Sequence, residues 1–322
     1  AFHFGSFISS FLSYIMFLSS LLLIIKCYSK NLIFDNKNLI FVLLCFSNPV
    51  LFLDNTNPSD APLSLFLFSL GFFLYKKKLL IYAGIFFALT IATRANYGLF
   101  VYTIILYDVF LKKKIDLKIF ELLVLCTLIT FLFYYPAFIL NKFDISFITN
   151  PGGPEIQLMS LLPRFFYKTF LSYGIYSSIL IFLIYILNFN YINKKISKYK
   201  LEFILIFLNL ITFLFIPTKT SIISLAIILT YLIIFELIKK KIIIFIIMSN
   251  FIFYIISYDI FDFKYKYSGK CDPIEAIGAE FNFQINDGYF VKRTKQMKNK
   301  IMCDSKGFGD KSKNYLNGKK LK

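Results

Sequence analysis

A single histidine, His3, is found in 322 residues, and the five cysteines are scattered. With no Cys/His cluster, a tetrahedral zinc site has no ligand set to draw on. Acidic side chains are scarce too: 18 Asp and Glu stand against 36 Lys and Arg, a formal charge of +18. In a soluble protein that excess would point to nucleic acid. Here most of the lysines flank apolar runs, so no nucleic-acid partner is expected. Ionisable groups are nearly missing from inside those runs. Little beyond Asp108, Glu121 and Glu236 intrudes, all close to the cytoplasmic ends, whereas transporters tend to place such groups at mid-membrane. No basic leader precedes the apolar run Phe7–Ile25, so that run reads as a retained helix rather than a signal peptide.

What is abundant is apolar surface. The chain is 58% hydrophobic and 20% aromatic, with a mean hydropathy of +0.68. A soluble domain is nearer half apolar and does not string together runs of this length. The expected fold class is an all-α polytopic membrane protein, with a helical domain over 1–257 and a polar, basic tail over 258–322.

Lysine clusters recur at Lys26–Lys37, Lys76–Lys78, Lys112–Lys118, Lys194–Lys200 and Lys239–Lys241, and they hold 17 of the 36 basic residues. Between them lie polar tips at Asp54–Ala61, Arg94–Gly98, Asn141–Lys168 and Pro217–Ser221, which share five. By the positive-inside rule the clusters face the cytoplasm and the tips face outward. The run from Lys78 to Lys112 would be roughly 50 Å as one helix, against a hydrocarbon core of about 30 Å. It must therefore fold back as a hairpin at Arg94-Ala95-Asn96-Tyr97-Gly98. The same logic gives about ten helices: 6–25, 38–53, 62–75, 79–93, 97–111, 119–140, 169–189, 201–216, 221–238 and 242–257, with both chain ends outside.

Within the longest outer loop, Pro151-Gly152-Gly153-Pro154 must be irregular. Glu155–Lys168 carries apolar residues at helical spacing and reads either as an interfacial helix or as a plain surface loop. The tail alternates at Ala279–Ile285, turns at Asn286-Asp287-Gly288, and ends in a stretch that reads as disordered. Cys45 and Cys126 lie inside helices as small hydrophobes. Cys271 and Cys303, the two in the tail, are candidates for a disulfide if the tail lies in an oxidising compartment.

Polar residues gather at the outer tips. Asp54, Asn55, Asn57, Ser59 and Asp60 make one group, and Arg94, Asn96 and Tyr97 another. Asp144, Glu155, Arg164 and Lys168 belong to the long loop, and Thr218, Lys219 and Thr220 to the last tip. Carboxylates and cations at the outer interface suit a substrate that is part lipid, part phosphate and part sugar. An Arg about 4 Å from a phosphate gains about 4 kcal/mol at an effective dielectric of 20, and its planar fork matches phosphate geometry. A nearby carboxylate can take a proton from an acceptor hydroxyl. Each has a plainer reading: Arg94 snorkelling to headgroups, Asp60 capping helix 62–75, since Ser-Asp-Ala-Pro is a good helix start, Lys219 as one lysine among many.

Together, Ser59-Asp60-Ala61, the hairpin strand Gly84 through Thr93-Arg94, and Pro217-Thr218-Lys219 resemble short motifs of the GT-C superfamily of membrane glycosyltransferases. The dolichyl-phosphate-mannose-protein mannosyltransferase-like and aminoarabinose-transferase-like members are the nearest in pattern, over roughly residues 1–240. The resemblance implies sugar transfer from a polyprenyl-phosphate donor to an extracytoplasmic lipid, glycan or protein, at a bacterial inner membrane, with inversion at the anomeric carbon. It implies that Arg94 and Lys219 hold the lipid phosphate and that Asp60 is the acidic residue lining the site, or helps to hold a divalent metal. Asp144, Glu155 and Arg164 would form the donor or acceptor loop. The family carries a further catalytic acidic residue in a first outer loop, expected here upstream of Ala1, with Phe2-His3-Phe4-Gly5 as its remnant. Rival readings are an O-antigen polymerase- or ligase-like protein acting through Arg164 and Lys168, a lipid or solute transporter, and a non-catalytic membrane scaffold.

Overall fold

The computed structural model describes residues 2–29, 36–56, 59–112, 117–140, 173, 175–187, 197–215 and 224–252. Every regular element among them is helical. In chain order they are α1 (Phe2–Tyr28), α2 (Asn36–Ser47), α3 (Pro49–Thr56), α4 (Asp60–Lys76), α5 (Leu80–Thr93), α6 (Tyr97–Lys112), α7 (Leu117–Leu140), α8 (Ile175–Leu187), α9 (Lys200–Phe215) and α10 (Ser224–Leu237). A 3-10 turn, Ser197–Tyr199, leads into α9, and an eleventh helix, α11, covers 240–252.

Of these helices, two are long and apolar enough to cross a membrane by length and composition: Ile8–Tyr28 and Leu117–Leu140. The others reach at most 17 residues in the apolar helices that flank them. An all-helical architecture agrees with the sequence, and the ten-span count is finer than length alone supports.

The hairpin between Lys78 and Lys112 is present, with α5 and α6 separated by Arg94, Ala95 and Asn96. Its first turn is closed by Tyr97 N–H donating to Arg94 C=O at 3.0 Å and Gly98 N–H donating to Ala95 C=O at 2.9 Å. Before the hairpin, the chain reverses at Lys76–Lys78, where Lys78 takes the left-handed φ of 62°.

The expected helix 38–53 differs. It is broken at Asn48, and the second half runs on to Thr56, so the polar tip begins later than Asp54. The cause is local. Pro49 has no N–H to give to α2 but fits the first position of a new helix. Asn48 caps that helix, its Oδ1 accepting the Leu51 N–H at 3.0 Å.

Packing places α4 between α1 and α5, and α5 between α4 and α7, as the most extensive helix–helix contacts. α10 meets α2, α3 and α9, and α9 also meets α6. From Leu225 to Ile234 nearly every residue of α10 is buried, as a helix apolar all round must be. The α4–α5 seam closes at Gly71, where a Cβ would stand 2.7 Å from Phe87 Cδ1. The outer faces stay apolar: Leu132 is 68% exposed, Leu140 82% and Phe110 76%.

Cys45 and Cys126 are buried inside helices as expected, and Cys27 is half-buried. The long outer loop, Pro217–Ser221, the whole tail, and with them Cys271 and Cys303, lie outside the described residues.

Candidate functional site

The start of α4 and the end of α5 form the site. Ser59 has extended backbone (φ −151°, ψ 175°), and its Oγ accepts the Ala61 N–H at 3.3 Å. Asp60 is the first residue of the helix, where a carboxylate is favoured by the unpaired amide ends. Pro62 follows in the first turn, where a missing N–H removes no helical bond. The helix start read from Ser-Asp-Ala-Pro is present, but the cap expected at Asp60 belongs to Ser59, because α4 already begins at Asp60.

At the other side, α5 ends on Arg94, whose N–H still donates to Thr90 C=O at 2.9 Å. Its backbone then turns extended (φ −146°, ψ 105°) and leaves the helix. The guanidinium returns over the first turn of α4. Nε donates to Asp60 Oδ2 at 2.6 Å and Nη2 to Asp60 Oδ1 at 2.7 Å. Residues 34 apart are thus joined by a two-pronged, charge-assisted pair. Arg94 is largely covered at 19% side-chain exposure, while Asp60 is 54% exposed.

The Arg94 hydrogen bonds hold the Asp60 carboxyl below its usual range, against the opposing effect of partial burial. While the pair is intact, Asp60 is ionised and a weak proton acceptor, and two of the five guanidinium N–H donors are occupied by it. Tyr97, buried behind the pair, packs its ring 5.4 Å from Phe68 and 5.8 Å from Phe100. No protein-family model, curated protein or solved structure matches this chain.

Of the residues singled out in the sequence, Asp60 and Arg94 are brought together. Lys219, Asp144, Glu155 and Arg164 lie outside the described residues, as do Lys168, Thr218 and Thr220. Among the described residues no three His, Cys, Asp or Glu side chains come together. A metal at Asp60 would therefore draw its other ligands from elsewhere in the chain.

Two further polar groupings escaped the sequence reading. In the first, buried side chains join α2, α3, α8, α10 and α11. Asn48 Nδ2 donates to Tyr231 OH at 3.0 Å, and Asn55 Nδ2 to Ser224 Oγ at 3.1 Å. Asn250 Nδ2 donates to Ser47 Oγ at 3.0 Å, and Asn250 Oδ1 accepts from Ser177 Oγ. All of these residues are within 3% of full burial. Asn55 Oδ1 has no hydrogen-bond partner among the described residues. Lone Asn residues in apolar runs were the available signal, because a polar group buried there is costly unless paired.

In the second grouping, carboxylates at the lysine-rich end take tyrosine hydroxyls. Tyr28 OH donates to Glu202 Oε1 at 2.6 Å, Tyr75 OH to Asp108 Oδ2 at 2.7 Å, and Tyr199 OH to Glu236.

Proposed function

We propose that this chain is a polytopic membrane protein of GT-C-like architecture that transfers a sugar from a polyprenyl-phosphate donor to an acceptor outside a bacterial inner membrane. The observation that carries the reading is the Asp60–Arg94 pair. A guanidinium is held in a fixed orientation at one end of the bundle, where the lipid phosphate would arrive, and Lys76–Lys78 lie at the other end of α4. Apolar outer faces on α6 and α7 support the membrane setting, since water would drive such surfaces together.

In this reading Asp60 orients the Arg94 fork until the donor phosphate takes its place. The acceptor hydroxyl oxygen attacks the anomeric carbon and its proton passes to a carboxylate. The bond from that carbon to the phosphate oxygen breaks, and polyprenyl phosphate leaves with the electron pair. Arg94, joined by Lys219, stabilises the charge that grows on the phosphate. Once released from Arg94, Asp60 is also available to receive the proton.

The test is release of polyprenyl phosphate from a panel of polyprenyl-phosphate-linked hexoses and pentoses in proteoliposomes. Arg94→Ala is expected to lower turnover by about 10²–10³-fold, the loss typical of one charge-stabilising donor. Asp60→Ala is expected to abolish transfer, with equal amounts of inserted protein in both cases. Wild-type turnover in both variants, or no release from any donor by the wild type, would remove the proposal.

A further inference from the structure

At the lysine-rich end, the stretch leaving α1, the start of α2 and the link from α10 to α11 enclose a cavity of about 670 Å³. Its rim carries three lysines from two distant parts of the chain: Lys37, Lys239 and Lys240. Asn38, only 8% exposed, adds a buried carboxamide to the wall. Among the described residues the one carboxylate in the lining is Glu236. It is engaged from beside the cavity by the Tyr199 hydroxyl and by Lys198 Nζ at 3.4 Å. Three lysines and one carboxylate are thus the charged groups among the described lining residues.

Aromatic side chains share the wall with these polar groups. Phe41 and Phe235 meet edge to face with centroids 6.2 Å apart, and both line the cavity. A cationic rim over an aromatic wall matches an anion that carries an apolar body. Lysine recognises phosphate as a compact charge without demanding a bidentate geometry. The site lies at the opposite end of α4 from Asp60: Lys76, the last residue of α4, places Nζ 5.7 Å from the ring of Tyr28, which also lines the cavity.

We propose that this cavity binds a phosphate group, and that Lys37, Lys239 and Lys240 are its ligands. Two sources share that chemistry, a phospholipid headgroup whose acyl chains follow the aromatic wall and a free phosphate. The inference does not rest on sugar transfer, and its test reads binding alone.

The experiment uses the full chain in a neutral detergent, with dissociation constants measured for short-chain phosphatidic acid, short-chain phosphatidylcholine and inorganic phosphate. Each lysine near a charged headgroup contributes about fivefold in affinity, so Lys37→Gln/Lys239→Gln/Lys240→Gln should weaken phosphatidic acid binding roughly a hundredfold. Lys78→Gln/Lys118→Gln removes two charges at a separate pocket between the starts of α5 and α7 and should change it less than about threefold. Phosphatidic acid bound far more tightly than inorganic phosphate assigns the lipid source, and equal affinities assign the free anion; both support the site. Equal losses in the triple and the double variant, or no binding of either phosphate probe by the wild type, would overturn it. Single Lys240→Gln, at the exposed first residue of α11, repeats the test with about a fivefold loss should the triple variant unfold.

Discussion

Replacing Gly71 by alanine puts the α4–α5 seam to a direct test. The new methyl would lie 2.7 and 2.9 Å from Cδ1 and Cε1 of Phe87 and 3.4 Å from Phe86 Cβ. Real contacts of this kind do not fall below 3.0 Å, so the ring or the helix must move. Phe87 has little room to do so: it is fully buried, with the rings of Phe68 and Tyr75 at 6.0 and 6.2 Å. Overpacking of this type costs about 1–3 kcal/mol, and about 2 kcal/mol would lower the thermal midpoint by roughly 4–8 °C in a chain of this size class. Phe87→Leu alone should cost about 1–2 kcal/mol through the space it opens. In the double variant the alanine methyl occupies part of that space, so its loss should be smaller than the sum of the two single losses. The buried thiols of Cys45 and Cys126, both 0% exposed, provide the assay, since a thiol-reactive dye labels them only as the chain unfolds. A neutral Gly71→Ala, or a penalty unchanged by Phe87→Leu, would mean that α4 and α5 do not meet at this point.

The Asp60 carboxyl is held low in the folded state, so the stability it contributes is present above its unfolded value of about 4 and is lost as pH falls through the folded one. Asp60→Asn should therefore flatten the acid limb of the thermal midpoint between neutral pH and about pH 3, by no more than about 1 kcal/mol because the carboxylate is half exposed. Identical acid limbs in the two proteins would refute the pairing. At the α2–α3 break, Asn48→Ala should cost about 2–3 kcal/mol through loss of both the cap and the bond to Tyr231, whereas Asn48→Ser, an uncharged capping residue, should keep the cap and recover about 1 kcal/mol of it. A midpoint unchanged by the alanine would refute the role given to Asn48.

The helices and the Arg94 reversal were legible because length, periodicity and loop charge are local properties. The 50 Å that one straight helix would have needed forced a hairpin, and Arg94, Ala95 and Asn96 do separate two helices. Pro49 stands inside the expected helix 38–53, and the full break there depends on Asn48 having a side chain able to cap a restart. The Asp60–Arg94 pair was only half legible. Each residue stood out on its own, yet their 34-residue separation carries no periodic signal, and only the packing of α4 against α5 brings them together. Attention to the tips and to charge passed over Asn48 and Asn250, and set Asn55 at a polar outer tip although it is buried in α3. Their partners are hydroxyls from 169 to 203 residues away, and long-range hydrogen bonds between neutral groups leave no trace in composition or spacing. Gly71 was likewise silent, because its role is set by the Phe87 ring opposite rather than by its own backbone.

In a membrane, α2 and α3 would rise only about 18 and 12 Å from their 12 and 8 residues. Neither reaches across about 30 Å of hydrocarbon, so the two would enter as one segment. Asn48 goes in with them, yet Tyr231 lies 183 residues downstream and Asn250, the partner of Ser47, 203 residues downstream. At about 5–20 residues per second, synthesis leaves the junction without those partners for roughly 10–40 s. In that setting the α2–α3 segment would be inserted before its hydrogen bonds could be completed. During that interval its polar junction is open to whatever insertion factor or protease reaches it, and a chain that stops short of Tyr231 stays in that condition permanently.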